Sequence, residues 1–160
     1  MWAQIEAQFG TPLAIMLRAE ARAGITLYLA LTGTSAQREV FRAAARTYLH
    51  RHGQTTLDEL LKEKNARAKE RNPLVHGIWG TADSYPDALL LSDPARATQE
   101  MAELMYNLNM KSQLMEKRIL YQQLVSAKIM IYNANDFIQI ERRMGELSSR
   151  AGEFRLKHLS

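Results

Sequence analysis

The stretch ERNPLVHGIWG, residues 70–80, separates two parts of the chain that differ in character. The residues before it are rich in good helix formers, and short turn signals interrupt them. Within it, Asn72 is a strong helix N-cap, and Pro73 is favoured at the first position of a helix. A residue that precedes proline also avoids helical angles. We therefore predict that one helix ends at Arg71 and that the chain bends between Arg71 and His76.

Four helices are predicted upstream of this stretch, because their starts and ends carry capping signals. Proline after threonine near the N-terminus is typical of a helix start. Two Thr-x-x-Gln/Glu capping boxes and two glycines mark further starts and ends. These signals predict a short helix over 1–9, a helix from Pro12 to about Thr32, one from Thr34 to about His52, and one over about 57–71.

The part that follows is predicted to be a loop over 77–93, with a short extended piece at Ala88–Leu91. A long helical region is predicted from Asp93 as far as Tyr132, with a break at 133–135. The last helix carries an apolar seam that suits one long neighbour or a second copy of the chain. The seam consists of Phe137, Ile140, Met144, Leu147, Ala151 and Phe154. The pattern indicates an all-α protein, one domain over 1–160, built as an up-down bundle of four to five main helices.

Composition narrows the function classes. The chain has 160 residues, a net charge of +4 and no cysteine, so disulfides and thiolate zinc sites are excluded. No apolar stretch approaches the ~20 residues that span a bilayer, and the N-terminus does not resemble a secretory signal. We expect a cytoplasmic protein without membrane contact, and no motif indicates a metal or a cofactor. The mild positive charge permits an anionic partner such as nucleic acid.

Arg71 and His76 are the candidate catalytic pair. Histidine exchanges a proton near neutral pH, and arginine binds phosphate oxygens through a fork of N–H donors. If the expected bend brings them together, they suit metal-independent cleavage of a phosphodiester, with Asn72 adding a hydrogen bond. RNA would supply its own nucleophile, the 2′-hydroxyl. The alternative is structural: Arg71 pairs with a carboxylate and His76 is hydrogen-bonded at a helix start.

The run RNPLVH, residues 71–76, resembles the Arg-Asn-four-to-six-residues-His signature of the HEPN superfamily, and the following Gly-Ile-Trp resembles the ending of some bacterial members. The resemblance implies a compact helical homodimer in which two motifs meet in one cleft. It implies RNA endonuclease activity with Arg71 and His76 as catalytic residues and a 2′,3′-cyclic phosphate product. It also implies a role as toxin or defence effector, with an antitoxin or a nucleotidyltransferase as candidate partner.

Other charged residues are candidates for supporting roles. The helices predicted before Asn72 carry basic residues that could form a bed for a nucleic-acid backbone, or simply a solvated face. These are Arg38, Arg42, Arg46, Arg67 and Lys69. Glu20 falls within the apolar stripe of its predicted helix, where a carboxylate needs a cationic partner. It could orient Arg71 or His76, or pair with another arginine. Trp79 could stack on a base or anchor the loop.

Three functions remain open from the sequence. The first is an RNA endonuclease of HEPN type. The second is a non-catalytic HEPN-like module that binds a partner protein or a nucleotide. The third is a helical adaptor without a nucleic-acid role, built on the C-terminal seam.

Overall fold

The computed structural model describes residues 2–83, 85–95, 98–99, 102 and 129–159. Within these residues the chain is mostly helical, with one small antiparallel sheet, so the helical class is confirmed in its coarse form. The elements are α1 Trp2–Met16, α2 Ala21–Ala30, α3 Thr34–Tyr48, α4 Arg51–His76, β1 Ile78–Gly80, β2 Ala88–Ser92, β3 Met130–Asn133 and α5 Ala134–His158. None of the helices described is both long and apolar enough to cross a membrane.

The chain divides into two compact units, one over 1–69 and 139–160 and the other over 70–138. The first unit contains the main hydrophobic core, and an aromatic pair lies within it: the rings of Tyr28 and Phe41 meet edge to face at 5.5 Å. The residues of this core that are almost completely buried are Ile5, Phe9, Leu13, Met16, Tyr28, Phe41, Leu57, Leu60 and Leu147. The expectation of a single domain over 1–160 stays a prediction.

The helix predicted from Pro12 to Thr32 is in fact two helices, and Pro12 lies inside α1. Apolar side chains at three- and four-residue steps bury one face of α1 in the core, and this burial outweighs the hydrogen bond that proline cannot make. The chain then turns at Arg18, whose φ of 52° is left-handed. The amide of Ala19 donates to Ala14 O at 2.9 Å, a bond typical of a Schellman ending.

Gly24 allows α1 and α2 to approach each other closely. A Cβ added at Gly24 would lie 2.2 Å from Ala14 Cβ and 2.6 Å from Ala14 Cα. Neither distance is compatible with van der Waals packing, so only glycine fits at this crossing.

The boundary between α3 and α4 lies at Leu49 and His50, earlier than the predicted end at His52. The side-chain amide of Gln54 donates to Leu49 O at 2.8 Å and satisfies a carbonyl at this break. Gly53, predicted as a helix stop, lies inside α4. It is a packing position there, because a Cβ would lie 3.3 Å from His158 Nδ1.

The second unit contains the sheet, in the order β1-β2-β3, with Trp79 opposite Leu91 and Leu89 opposite Tyr132. The predicted extended piece at Ala88–Leu91 is confirmed as β2. The loop prediction was wrong for residues 78–80, which form β1 and pair with β2. The predicted long helix was wrong over its last three residues, 130–132, which belong to the strand Met130–Asn133. Most of that helix, 103–128, lies outside the described residues.

The C-terminal seam is confirmed in α5, where Met144, Leu147, Ala151 and Phe154 are buried. The helix starts at Ala134, inside the break predicted at 133–135, so that break is shorter than predicted. Its first turn is capped by Asn133 Oδ1, which accepts from the amides of Asn135 and Asp136 at 2.9 and 3.2 Å.

Candidate functional site

The helix that carries the candidate motif does not end at Arg71. It continues through Pro73 to His76, so the predicted break at Asn72 and Pro73 was wrong. Within a regular helix, Arg71 and His76 lie about 7.5 Å apart along the axis and about 140° apart around it. One copy of the chain therefore presents the two side chains in diverging directions.

Two hydrogen bonds stabilise the last turn of α4 despite its proline. The amide of Gly77 donates to Pro73 O at 2.7 Å, and the indole Nε1 of Trp79 donates to Leu74 O at 3.0 Å. The carbonyls at a helix end lack intrahelical partners, so these donors replace solvent there. They stabilise the helical turn that contains His76. Without them, the preference of Asn72 for non-helical angles before Pro73 would oppose this turn.

Gly77 is the point at which the helix end meets the sheet. A Cβ at this position would lie 2.2 Å from Leu91 Cδ1 and 2.5 Å from Pro73 O. Leu91 is itself fully buried, so it has little room to move. The glycine that follows His76 is thus required by close packing, and its φ lies outside the left-handed region.

Trp79 anchors the segment that follows the motif. Its ring centroid lies 5.8 Å from those of Tyr132 and Phe137, which are themselves 5.7 Å apart. The three rings join β1, β3 and the start of α5 within the second unit. This geometry favours the anchoring role for Trp79, because its ring and its N–H already have partners.

The motif side chains differ in exposure. Arg71 is half-buried, and its Nη1 donates to Asn72 Oδ1 at 3.2 Å. Asn72 and His76 are exposed. Asn72 therefore orients the guanidinium of Arg71, and the imidazole of His76 is open to a ligand or a second chain.

Glu20 is exposed and lies immediately before α2, so its predicted place on a buried face was wrong. The Schellman ending of α1 interrupts the stripe on which that prediction depended. An orienting role for Glu20 stays a prediction. The burial of Glu20 that motivated this prediction is absent.

The basic residues of α3 and α4 do not form one uniform surface. Arg42 is engaged: its Nε lies 2.8 Å from Asp58 Oδ1 and its Nη1 lies 3.3 Å from Glu39 Oε1. These hydrogen bonds and the nearby carboxylates raise the pKa of Arg42 further. Arg46 is exposed and Arg67 is half-buried. A nucleic-acid role for this set stays a prediction, in which Arg42 would first have to leave Asp58.

Arg38 and Lys69 line a separate cavity in the first unit, together with Lys64. Only 5 % of Lys64 is exposed, and it was not singled out from the sequence. A lysine within a run of charged residues carries no sequence signal of burial. The burial of Lys64 depends on the apolar residues of α1 and α2 around it, which are distant in sequence.

Comparisons with known proteins do not assign the chain to a family. The chain matches no family model, and no curated protein or solved structure shows significant similarity to it.

Proposed function

We propose that the chain forms a homodimer that cleaves RNA without a metal ion, as an endonuclease of HEPN type. The observation that carries the proposal is the RNPLVH run at the C-terminal turn of α4, where His76 is exposed and Gly77 is required by packing. A role as toxin or defence effector, with an antitoxin or a nucleotidyltransferase as partner, belongs to the same proposal.

The helical geometry is the reason for placing the reaction between two chains. Because Arg71 and His76 diverge on one helix, a shared phosphate is reached best by Arg71 of one copy and His76 of another. A twofold axis near the end of α4 would bring both pairs into one cleft. Val75 lies within the motif and Ile78 follows it, and they are 53% and 54% exposed, which suits a surface that a second copy covers.

The proposed reaction needs only groups that this cleft would hold, together with water. One His76 takes the proton of the 2′-hydroxyl, and the 2′-oxygen bonds to phosphorus as the bond from phosphorus to the 5′-oxygen breaks. A water molecule gives a proton to the leaving 5′-oxygen, and His76 then returns its proton to the solvent, so each site needs one Arg71 and one His76. Arg71, oriented by Asn72, stabilises the charge on the phosphoryl oxygens. The products are a 2′,3′-cyclic phosphate and a 5′-hydroxyl.

The test is cleavage of a labelled RNA in the presence of a chelator. His76→Ala is expected to lower the rate by about 10²–10⁴-fold, as for loss of a general acid–base, and Arg71→Ala by about 10²–10³-fold. The matched controls are His50→Ala and Arg51→Ala, two exposed residues that are expected to leave the rate unchanged. An RNA with a 2′-deoxy substitution at the cleavage position should resist. Cleavage that needs a metal ion, or that survives in His76→Ala, would refute the proposal.

A mixing experiment tests the two-chain site. Arg71→Ala and His76→Ala, each inactive alone, are unfolded together and refolded as mixed dimers. Half of the dimers then contain one copy of each variant, and one of their two sites keeps both groups, so about one quarter of the wild-type activity should return. A site within one chain would return none, and that result would overturn the two-chain arrangement.

The non-catalytic HEPN-like module is the alternative. It predicts the same dimer without cleavage, whereas a helical adaptor predicts that both alanine variants behave as wild type in every assay. Sedimentation of the purified chain, run beside the cleavage assay, separates the three.

A further inference from the structure

The first unit contains a cavity of about 420 Å³ between the start of α3 and the middle of α4. Among the residues that the structure describes, the lining includes four cationic side chains and no acidic one. The cationic residues are Arg38, Lys62, Lys64 and Lys69. Thr34 and Ser35 add hydroxyl groups, and Leu61 adds an apolar wall.

The charge at the mouth of the cavity is largely uncompensated. Lys62 and Lys69 are exposed and make no ion pair within 4.0 Å to any residue that the structure describes. Arg38 has a distant partner, with 3.9 Å between its Nε and Glu39 Oε1. Like charges that converge on one concave surface repel each other and raise the local concentration of anions. The cavity therefore favours a negatively charged occupant.

Lys64 is the buried cation of the cavity lining, and it already has partners. Lys64 Nζ lies 3.2 Å from Glu6 Oε1 and donates to Gln37 Oε1 at 3.1 Å. Burial lowers the pKa of Lys64, and the Glu6 carboxylate opposes this effect. The ammonium also lies 5.3–5.8 Å from the ring centroids of Trp2, Phe9 and Tyr28. These contacts satisfy the buried ammonium and connect it to Gln37 in the first turn of α3.

Size and polarity restrict the occupant further. Ligand sites commonly measure about 300–1,000 Å³, so this cavity suits a small molecule. Its walls offer hydroxyl, amide and ammonium groups, which match phosphate oxygens and suit an apolar ligand poorly. A nucleic-acid backbone needs a track of cations along several phosphates, whereas these four surround one space.

We propose that this cavity binds the phosphate group of a small phosphorylated molecule about the size of a mononucleotide. Lys62, Lys69 and Arg38 contact the phosphate oxygens, and the hydroxyls of Thr34 and Ser35 complete the shell. The proposal does not depend on RNA cleavage, since it uses residues of the first unit alone.

Calorimetric titration of the full chain at low salt tests the proposal with adenosine monophosphate, adenosine and inorganic phosphate. The monophosphate and phosphate should bind, and adenosine should not. Lys62→Gln and Lys69→Gln should each weaken monophosphate binding about tenfold, or about 1.4 kcal/mol. The matched control Lys157→Gln, an exposed lysine of α5 outside this cavity, should bind as wild type. Equal losses in all three variants, or equal binding of adenosine, would overturn the proposal.

Two further measurements separate binding from folding and from RNA. Without ligand, Lys62→Gln and Lys69→Gln should unfold at the wild-type temperature or above it, because each change removes a repelling charge. A lower unfolding temperature would count against the proposal. If a short RNA binds through Lys62 and Lys69 while the monophosphate does not, the site belongs to nucleic acid and the proposal fails. His76→Ala should bind the monophosphate normally, so failure of the cleavage proposal leaves this one standing.

Discussion

Replacement of Gly77 by alanine tests how the motif is held. The added Cβ would overlap Leu91 Cδ1 at 2.2 Å and Pro73 O at 2.5 Å. The leucine side chain is flexible but fully buried, and the carbonyl belongs to the backbone that accepts the Gly77 amide. Relief therefore requires the last turn of α4 to shift away from β2. Overpacking of this kind costs about 1–3 kcal/mol, and for a chain of this size each kcal/mol lowers the unfolding temperature by about 2–4 °C.

Gly80→Ala is the matched control for this change. Gly80 ends β1, three residues after Gly77, and no described residue lies within 4 Å of a Cβ there. Thermal unfolding gives the total cost, and hydrogen exchange over 70–80 shows whether the loss is local. The cost of Gly77→Ala should shrink when Leu91 is already alanine, because one of the two overlaps is then absent. If Gly77→Ala and Gly80→Ala are equally stable, the close approach of α4 to β2 is refuted.

Three other substitutions concern the first unit. Gly24→Ala should destabilise the protein by about 1–3 kcal/mol in urea unfolding, because its Cβ would overlap Ala14. Gly145→Ala, whose Cβ would meet no described residue within 4 Å, should stabilise the protein by up to about 1 kcal/mol through helix propensity. The reverse order of stability would contradict the packing. The pKa of His158 is lowered by burial and by the charges of Lys157 and His52. The unfolded chain therefore takes up a proton below pH ~6.5 that the folded chain resists. The free energy of unfolding should therefore fall as the pH drops below ~6.5. In urea titrations at several pH values, His158→Gln should make this pH dependence weaker. An unchanged pH dependence in His158→Gln would contradict this assignment.

The sequence predicted an element correctly where its local pattern and its long-range packing favour the same structure. The seam of α5 follows from apolar spacing alone, and its buried residues Met144, Leu147, Ala151 and Phe154 are those that the spacing selects. The extended piece at Ala88–Leu91 was visible as an apolar run between turn signals. In both cases local propensity and long-range burial favour the same structure.

Local signals were wrong where long-range packing opposes them. The sequence predicted a helix start at both Pro12 and Pro73, yet each proline lies inside a helix. Pro12 is kept there by the buried face of α1, and Pro73 by the bonds that Gly77 and Trp79 make to the last turn of α4. Gly53 read as a stop, but its missing side chain makes room for His158. Each of these partners is distant in sequence or comes after the signal, so the local pattern cannot reveal it.

The residues around the motif serve two purposes that can be separated. Gly77 and Trp79 position the end of α4 through packing and hydrogen bonds, and neither offers a group for proton transfer. Arg71 and His76 offer that chemistry, and the exposed imidazole contributes little burial to the fold. Under the proposed function, a change at His76 should abolish RNA cleavage with little loss of stability, whereas a change at Gly77 should weaken the fold first. Since α4 continues through Pro73, the RNPLVH run does not by itself bring Arg71 and His76 together. In the proposed endonuclease, the dimer interface supplies that step.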